Sequence, residues 1–205
     1  MIVSASPLAT NAGLEVLRRG GNAVDAAVTV ALTLAVTYPT AGNIGGGGFM
    51  VARINGKNVA LDFREVAPRA ATRDMYLDSA KNMTDRSVTG ALAAGIPGSV
   101  AGLYEAHRKY GTKPWSELVR PAMELAEQGF VIDTSFTDDD EGGADRLAKD
   151  SASAALFLRG GQFVAVGDTW RAPQLAAVLR RLAERGRDGF YKGETADLIV
   201  AAMKR

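Results

Sequence analysis

Five glycines lie within residues 42–48, and this run limits the local structure more strongly than any other feature of the chain. Glycine allows two backbone segments to approach closely, and it also allows backbone N–H groups to surround a phosphate. The two common phosphate-binding motifs would require a glycine at position 50 or a lysine at position 48, where the chain has Met50 and Gly48. A helix is expected before the run and a strand after it, which reverses the order in those motifs. We therefore expect a packed structural loop and no nucleotide site.

Two helices are predicted before the glycine run. Apolar side chains recur at helical spacing from Leu8 to Arg19, and residues 23–36 are apolar nearly all round, as in a helix buried on every side. Between them, Gly20-Gly21 can end the first helix in a left-handed conformation. Asn22 can then cap the second helix, with Asp25 at its N3 position. The pattern predicts a tight corner between two helices.

A β-hairpin is predicted directly after the glycine run. Residues 49–54 and 57–63 alternate in polarity and flank Asn55-Gly56, a strong short-range hairpin signal. The alternation puts Phe63 on the more apolar face of the second strand and Arg64 on the more polar face at its end.

The remainder of the chain is predicted to be mainly helical. A long loop is expected from Ala67 to Gly95, with one short helix near Asp74–Asp78. A second short hairpin is expected around Gly160-Gly161. Four further helices are predicted, over residues 97–110, 115–128, 173–184 and 194–203. Because no helix-ending signal precedes Arg205, we expect residues 1–205 to be a single but incomplete domain.

Composition excludes several functional classes. The chain has 205 residues, no Cys, one His and a net charge of +1. The absence of Cys excludes disulfide scaffolds, iron–sulfur sites and thiol nucleophiles, and a single His cannot form a two-His metal site. The near-zero charge gives no indication of nucleic acid binding. We expect no metal, no other cofactor and no nucleic acid partner.

No export or membrane segment is evident in the sequence. Residues 1–7 lack the basic and apolar regions of a signal peptide. Apolar runs such as Ala26–Val36 are too short to span a bilayer, which requires about 20 residues. We therefore expect no transmembrane helix.

Ser99 lies in a segment that resembles a nucleophile elbow. The motif G-x-S-x-G fails because Pro97 stands where its first glycine is required. His107 lies two helical turns after Ser99, too far for a hydrogen bond between them. We expect His107 to be a surface or capping residue near the end of its helix.

An acidic segment, Asp138–Glu141, suggests a calcium loop. The EF-hand pattern requires ligands at positions occupied here by Gly142 and Lys149. A solvated turn is the expected structure.

Arg64 is the best candidate for a binding residue. Its planar guanidinium can bind a carboxylate through two hydrogen bonds, as is common where enzymes hold an amino-acid end group. Spacing alone favours a simpler interpretation, in which Arg64 forms an ion pair with Asp62 or Glu65.

Several segments carry a more specific signal through their shared order and spacing. They are residues 20–27 (GGNAVDAA), 37–39 (TYP), 42–50 (GNIGGGGFM), 61–68 (LDFREVAP), 71–75 (ATRDM), 95–102 (GIPGSVAG), 110–111 (YG) and 188–193 (DGFYKG). In these segments the chain resembles the γ-glutamyltransferases, also called γ-glutamyltranspeptidases or glutathione hydrolases. The resemblance extends from near Ala5 to Arg205. The chain is similar to the N-terminal part of the family's large subunit.

The resemblance implies an α+β fold, helix-rich with antiparallel strands, that forms part of an N-terminal-nucleophile hydrolase αββα sandwich. It also implies a proenzyme that cleaves itself into two subunits. A Thr at the new N-terminus of the small subunit attacks the γ-glutamyl amide of glutathione and related compounds. The terminal amine can activate the hydroxyl as a base. The acyl-enzyme then transfers the glutamyl group to water, an amino acid or a peptide.

One site residue is implied within this chain. Arg64 resembles the family's arginine that binds the α-carboxylate of the γ-glutamyl group, which reverses the preference from spacing. The family's Thr-Thr-His nucleophile context is absent, since the only His follows Ala106. We therefore expect no catalytic residue in these 205 residues and no activity from them alone.

Two alternatives remain open from the sequence. The chain could be a large-subunit fragment of a related, cephalosporin-acylase-like enzyme, or a catalytically inactive truncated fragment. Expected partners are a small-molecule substrate such as glutathione, the small subunit that carries the Thr, and further copies of this chain. The resemblance implies a periplasmic or secreted location, with the cytoplasm as the alternative because no signal peptide is visible.

Overall fold

The computed structural model describes residues 1–137 and 143–204. The acidic segment Asp138–Glu141, predicted to be a solvated turn, lies outside the described residues. The helices are α1 (Pro7–Arg18), α2 (Ala23–Thr37), α3 (Ser99–Tyr110), α4 (Trp115–Gln128), α5 (Gly143–Ala148), α6 (Ser151–Phe157), α7 (Pro173–Arg185), α8 (Asp188–Tyr191) and α9 (Glu194–Met203). The strands are β1 (Phe49–Ile54), β2 (Lys57–Asp62), β3 (Phe130–Val131), β4 (Leu158–Arg159), β5 (Gln162–Phe163) and β6 (Thr169–Trp170).

The strands form three antiparallel pairs within the described residues, β1 with β2, β3 with β6 and β4 with β5. Helices account for most of the regular structure, so the expectation of a helix-rich α+β chain with antiparallel strands is confirmed. No helix in the described ranges is both long and apolar enough to cross a membrane.

The corner between α1 and α2 forms as its sequence predicts. Gly20 has a φ of 80°, in the left-handed region where glycine is favoured. The Asn22 side chain accepts hydrogen bonds from the backbone N–H groups of Val24 and Asp25, and the Asp25 carboxylate accepts one from the Asn22 N–H. This reciprocal capping box fixes the start of α2.

Helix α2 lies at the centre of the core. Val28, Leu32 and Val36 are fully buried, and the helix packs against α1, α3 and α4. The buried hydroxyl of Thr29 donates a hydrogen bond to the carbonyl of Leu118 in α4. This hydrogen bond satisfies the buried Thr29 hydroxyl, which would destabilise the fold if it had no partner.

A second layer is formed by α4 and α7. The Trp115 indole N–H donates to the carbonyl of Leu182 at 2.7 Å, which ties the start of α4 to α7. Beyond them, Trp170 packs on Phe136 with ring centroids 5.0 Å apart, and Phe130 adds edge contacts to both rings. This aromatic cluster closes the core on the side of the short β3–β6 pair.

The hairpin also confirms its prediction. Asn55 and Gly56 both have positive φ, 50° and 78°, as a type I′ turn requires. Pairing runs from Ile54 with Lys57 to Phe49 with Asp62. The backbone of Phe63 then exchanges two hydrogen bonds with Gly48, so the ladder continues one pair past the strands.

Two predicted helices differ from the structure. The prediction of a short helix near Asp74–Asp78 is wrong. Residues 73–76 form a turn, and the Asp78 carboxylate accepts hydrogen bonds from the N–H groups of Ala80 and Asn82, which competes with helix formation. Helix α3 begins at Ser99 and not at 97, with Gly98 at its N-cap position.

Several short elements were not predicted. They are α5, α6, α8 and two 3-10 helices, Asp85–Ser87 and Ala91–Ala93. The second hairpin is present but covers only Leu158–Phe163. Each missed element is only one or two turns long, too short for a helical repeat to be recognised in the sequence.

Candidate functional site

The glycine run packs against the end of the β1–β2 hairpin. A Cβ on Gly47 would stand 2.7 Å from Cα of Arg64, and one on Gly48 would stand 2.9 Å from the Phe63 ring. A Cβ on Gly42 would overlap the carbonyl of Leu34 in α2. The glycines are therefore needed for close backbone approach, which confirms the prediction of a packed structural loop.

The same loop accepts hydrogen bonds from the start of α3. The N–H groups of Gly98 and Ser99 both donate to the carbonyl of Gly46, at 2.7 and 2.9 Å. These are two of the backbone donors that a helix N-terminus leaves free. Because a backbone carbonyl already occupies them, this helix end offers no anion site through these groups.

Asn43 holds the loop in shape from within. Its Oδ1 accepts hydrogen bonds from the Gly46 N–H at 2.7 Å and from the Ser99 hydroxyl at 3.1 Å, and its amide N–H donates to the carbonyl of Ala41. No motif in the sequence predicted a role for Asn43. The signal in the sequence that could have indicated this role is the Asn43 amide, which can both donate and accept hydrogen bonds and lies inside the glycine run.

Ser99 and His107 do not form a catalytic pair. The buried Ser99 hydroxyl is engaged by Asn43. His107 lies near the end of α3, as expected, but its ring is half-buried against Trp115 at 5.4 Å. Its Nε2 lies 2.7 Å from the carbonyl of Lys113. The structure therefore gives both residues roles in packing and hydrogen bonding.

Arg64 extends from the point where the loop, the hairpin and α3 meet. Its backbone N–H donates to the Asp62 carboxylate at 3.0 Å. The backbone just before it is enclosed, since a Cβ on Gly98 would overlap the Phe63 carbonyl. The Arg64 side chain itself is exposed, and its guanidinium carbon lies 5.9 Å from the Phe49 ring centroid. A rigid backbone thus presents an exposed guanidinium.

The ion pair favoured by spacing is not formed. Across residues 1–137 and 143–204, no carboxylate lies within ion-pair distance of the Arg64 guanidinium, and Asp62 contacts only the Arg64 backbone. The cation is therefore not neutralised by the described carboxylates.

A small cavity of about 320 Å³ borders Arg64. It is lined by the end of β2 and the first half of α3, and Glu105 is one of the lining residues. Hydrogen bonds from Arg108 and Lys109 lower the pKa of Glu105 to about 2. The Glu105 carboxylate is thus ionised and already paired with two cations, so it does not compete for Arg64.

No group of three or more His, Asp or Glu side chains that could hold a metal ion occurs in the described part of the chain.

Comparison with known proteins assigns the family. The gamma-glutamyltranspeptidase family model matches residues 9–205. The chain belongs to this family. It is 48% identical, over its whole length, to a glutathione hydrolase proenzyme of Pseudomonas sp. (strain A14), of which it covers 36%. The chain spans about a third of the length of the curated relatives that it matches.

Solved structures agree with this assignment. The crystal structure of Helicobacter pylori gamma-glutamyltranspeptidase is 45% identical, with a TM-score of 0.95 over 98% of this chain and 59% of that one. A cephalosporin acylase from Bacillus halodurans is 30% identical, with a TM-score of 0.83 over 96% of this chain and 38% of that one. The resemblance inferred from the sequence motifs is confirmed, and the fold is that of the family's N-terminal-nucleophile hydrolases.

Proposed function

We propose that this chain is the N-terminal part of the large subunit of a γ-glutamyltransferase. The complete enzyme cleaves the γ-glutamyl amide of glutathione and related compounds and transfers the glutamyl group to water, an amino acid or a peptide. The nucleophilic Thr belongs to a small subunit outside these residues. Family membership supports the reaction class, and the geometry of Arg64 supports the role of this chain within it.

The observation that carries the proposal is the exposed guanidinium of Arg64, which pairs with no described carboxylate and extends from a fixed backbone. A γ-glutamyl group has one α-carboxylate at its free end. The planar guanidinium matches a carboxylate with two parallel hydrogen bonds. Because no described ion pair has to be broken first, binding of the substrate carboxylate costs only the desolvation and ordering of the two partners.

This contact orients the scissile amide. Holding the α-carboxylate fixes one end of the donor, so that the γ-carbonyl is presented to a nucleophile supplied by the small subunit. The Thr hydroxyl, activated by its own terminal amine, would displace the amine portion of the donor and form an ester with the γ-glutamyl group. Water or an acceptor amine then releases it. Arg64 takes part in binding and leaves proton transfer to the small subunit.

The partners and the location follow from the same proposal. Residues 1–205 form one unit that the small subunit completes, and the parent protein is a proenzyme that cleaves itself. Support comes from the Pseudomonas relative, which is named a proenzyme and is about three times as long as the matched segment. The family resemblance supports a periplasmic or secreted location rather than the cytoplasm. The reaction needs no cofactor.

A chimeric proenzyme tests the proposal. This chain would replace the matching segment of the Pseudomonas sp. (strain A14) proenzyme, and hydrolysis of a γ-glutamyl anilide would be assayed. We expect self-cleavage and turnover by the chimera, and none from the 205-residue chain alone. Turnover by the homogeneous chain alone, or a chimera that matures but does not hydrolyse the anilide, would contradict the proposal.

Arg64→Ala in the chimera tests the binding role. Loss of two charge-assisted hydrogen bonds, each worth about 1.5–3 kcal/mol, predicts a fall in kcat/KM of roughly 10²- to 10⁴-fold, mainly through KM. Arg53→Ala is the matched control, because Arg53 is an exposed arginine on the same hairpin. A 4-aminobutanoyl anilide lacks the α-carboxylate, so its turnover should be insensitive to Arg64→Ala.

A cephalosporin-acylase-like activity is the second candidate, favoured by the structural similarity to the Bacillus halodurans enzyme. The two candidates differ in the donor they require. An acylase of that type would turn over amides without a free α-amino acid group at least as well as the γ-glutamyl anilide. Preference of the chimera for the γ-glutamyl donor over the 4-aminobutanoyl donor supports the first candidate.

A further inference from the structure

The first turn of α3 has no side-chain cap of its own. Gly98 stands at the N-cap position and offers no side chain. A helix N-terminus nevertheless leaves several backbone N–H groups without helical partners, and these need other acceptors. Gly98 and Ser99 use the carbonyl of Gly46. A third donor, the N–H of Ala101, uses a side chain from far along the chain.

That side chain is Tyr191 of α8. Its hydroxyl accepts a hydrogen bond from the Ala101 N–H at 3.3 Å and donates one to the Pro97 carbonyl at 2.8 Å. The single oxygen therefore binds both sides of the turn that leads into α3. Burial raises the pKa of Tyr191, so the hydroxyl keeps its proton at neutral pH.

The Tyr191 ring is itself held in place. The Arg187 guanidinium carbon lies over the ring at 4.7 Å from its centroid, and Phe190 packs edge-on at 5.0 Å. These contacts limit the rotation of the ring and keep the hydroxyl aimed at α3.

The turn that Tyr191 holds is in direct contact with the backbone of the candidate site. Gly98 donates to Gly46 and leaves no space beside the Phe63 carbonyl, and Phe63 immediately precedes Arg64. A shift of the 97–101 turn would therefore move both the glycine loop and the end of the hairpin. Close packing transmits such a shift, because it leaves no free volume to absorb it.

We propose that Tyr191 is a positioning residue for the γ-glutamyl site, which acts by holding the 97–101 turn against the backbone that carries Arg64. This inference rests on the proposed function of Arg64. Tyr191 touches no substrate in this scheme. It sets where the guanidinium stands, and thereby the affinity for donors that carry an α-carboxylate.

Tyr191→Phe is the test variant, since it removes only the hydroxyl and keeps the ring on Arg187. Tyr104→Phe is the matched control, because Tyr104 lies on α3 itself and its hydroxyl makes no hydrogen bond to the residues that the structure describes. In the chimeric proenzyme, we expect Tyr191→Phe to raise KM for the γ-glutamyl anilide about five-fold, with kcat within two-fold. The 4-aminobutanoyl anilide should show no change in KM, and neither donor should respond to Tyr104→Phe.

Amide hydrogen exchange in the chimeric proenzyme provides a second readout that requires no activity. Tyr191→Phe should speed exchange at Gly98, Ser99 and Phe63 about five-fold relative to wild type and to Tyr104→Phe. Faster exchange without a change in KM would overturn the positioning role while leaving the proposed function intact. Unchanged exchange at these three amides would overturn it as well. Failure of wild-type chimera turnover would instead count against the proposed function, and the exchange result would still decide whether Tyr191 holds this backbone.

Discussion

The ring of Phe63 lies directly on the backbone of Gly102 in α3, with no space for a side chain between them. A Cβ built on Gly102 would overlap three atoms of Phe63. The contact joins the hairpin to α3 at the residue before Arg64. Gly102 is thus one of the positions where close approach requires glycine inside a helix.

Gly102→Ala should therefore destabilise the chain. Alanine favours a helix over glycine by up to about 1 kcal/mol, so a neutral contact would make this variant more stable. Overpacking against Phe63 costs about 1–3 kcal/mol, and we expect a net fall in the free energy of unfolding. Urea denaturation measures it. Gly45→Ala is the control, because a Cβ on Gly45 meets nothing within 4 Å. A Gly102→Ala variant as stable as wild type would contradict the packing described here.

Arg64→Lys should separate charge from geometry. Lysine keeps the positive charge but lacks the planar pair of donors that matches a carboxylate. In the chimeric enzyme we expect KM for the γ-glutamyl anilide to lie between the wild-type and Arg64→Ala values, about ten-fold above wild type. Steady-state kinetics with both anilides would measure it. Equal KM values for Arg64→Lys and wild type would show that only the charge at this position matters.

Local signals predicted the parts of the fold whose contacts are local. The corner between α1 and α2 depends on Gly20 and on the Asn22–Asp25 capping box, all within six residues of the sequence. The hairpin depends on Asn55-Gly56 and on the alternating polarity of the two strands beside it. In both cases the residue that needs an unusual backbone conformation is the one that the sequence provides.

The site could not be predicted in the same way, because its contacts join distant parts of the chain. Ser99 binds Asn43 across 56 residues, and Tyr191 binds Pro97 across 94. No periodicity or short motif encodes such pairs. The binding role proposed for Arg64 rests on resemblance to a family, whereas spacing favoured an ion pair that the described residues do not form.

Protonation of Asp25 at acid pH should lower the free energy of unfolding of the chain. This fully buried carboxylate accepts hydrogen bonds from Asn22, Thr112 and Lys113. Burial alone would raise the pKa of Asp25, but the hydrogen bonds from Thr112 and the backbone outweigh it and lower the pKa below its ordinary value. The unfolded chain then binds a proton more readily than the folded one. The stabilisation contributed by the Asp25 carboxylate is therefore present above about pH 4 and is lost as the pH falls below that value.

Asp25→Asn tests this pH dependence. An asparagine amide has one accepting oxygen and an NH2 group that only donates, so the hydrogen bonds at one of the two carboxylate oxygens are lost. We expect a loss of about 2 kcal/mol at pH 7 and a flatter dependence on pH between about 5 and 2. Urea unfolding at a series of pH values measures both effects. Asp197→Asn, at an exposed carboxylate on α9, is the control. If the free energy of unfolding fell as steeply with decreasing pH in Asp25→Asn as in wild type, other carboxylates would be responsible for the loss of stability in acid.

The outer face of the hairpin should make the 205-residue chain self-associate when it has no partner subunit. Phe49 and Val51 are 63% and 83% exposed on this face. In the described residues β1 and β2 pair only with each other, so both outer edges of the hairpin offer unpaired backbone groups. An apolar face beside open edges favours pairing with another chain.

Val51→Lys should suppress this association, because a lysine on an exposed edge strand opposes pairing between chains. Light scattering across a range of concentrations would measure it, with Val3→Lys as the control. Val3 is equally exposed, at 84%, but lies outside the hairpin. We expect a larger mass for wild type and Val3→Lys than for Val51→Lys. A wild-type chain that stays monomeric at high concentration would contradict this prediction. It would show that the exposed hairpin face does not cause association when no small subunit is bound.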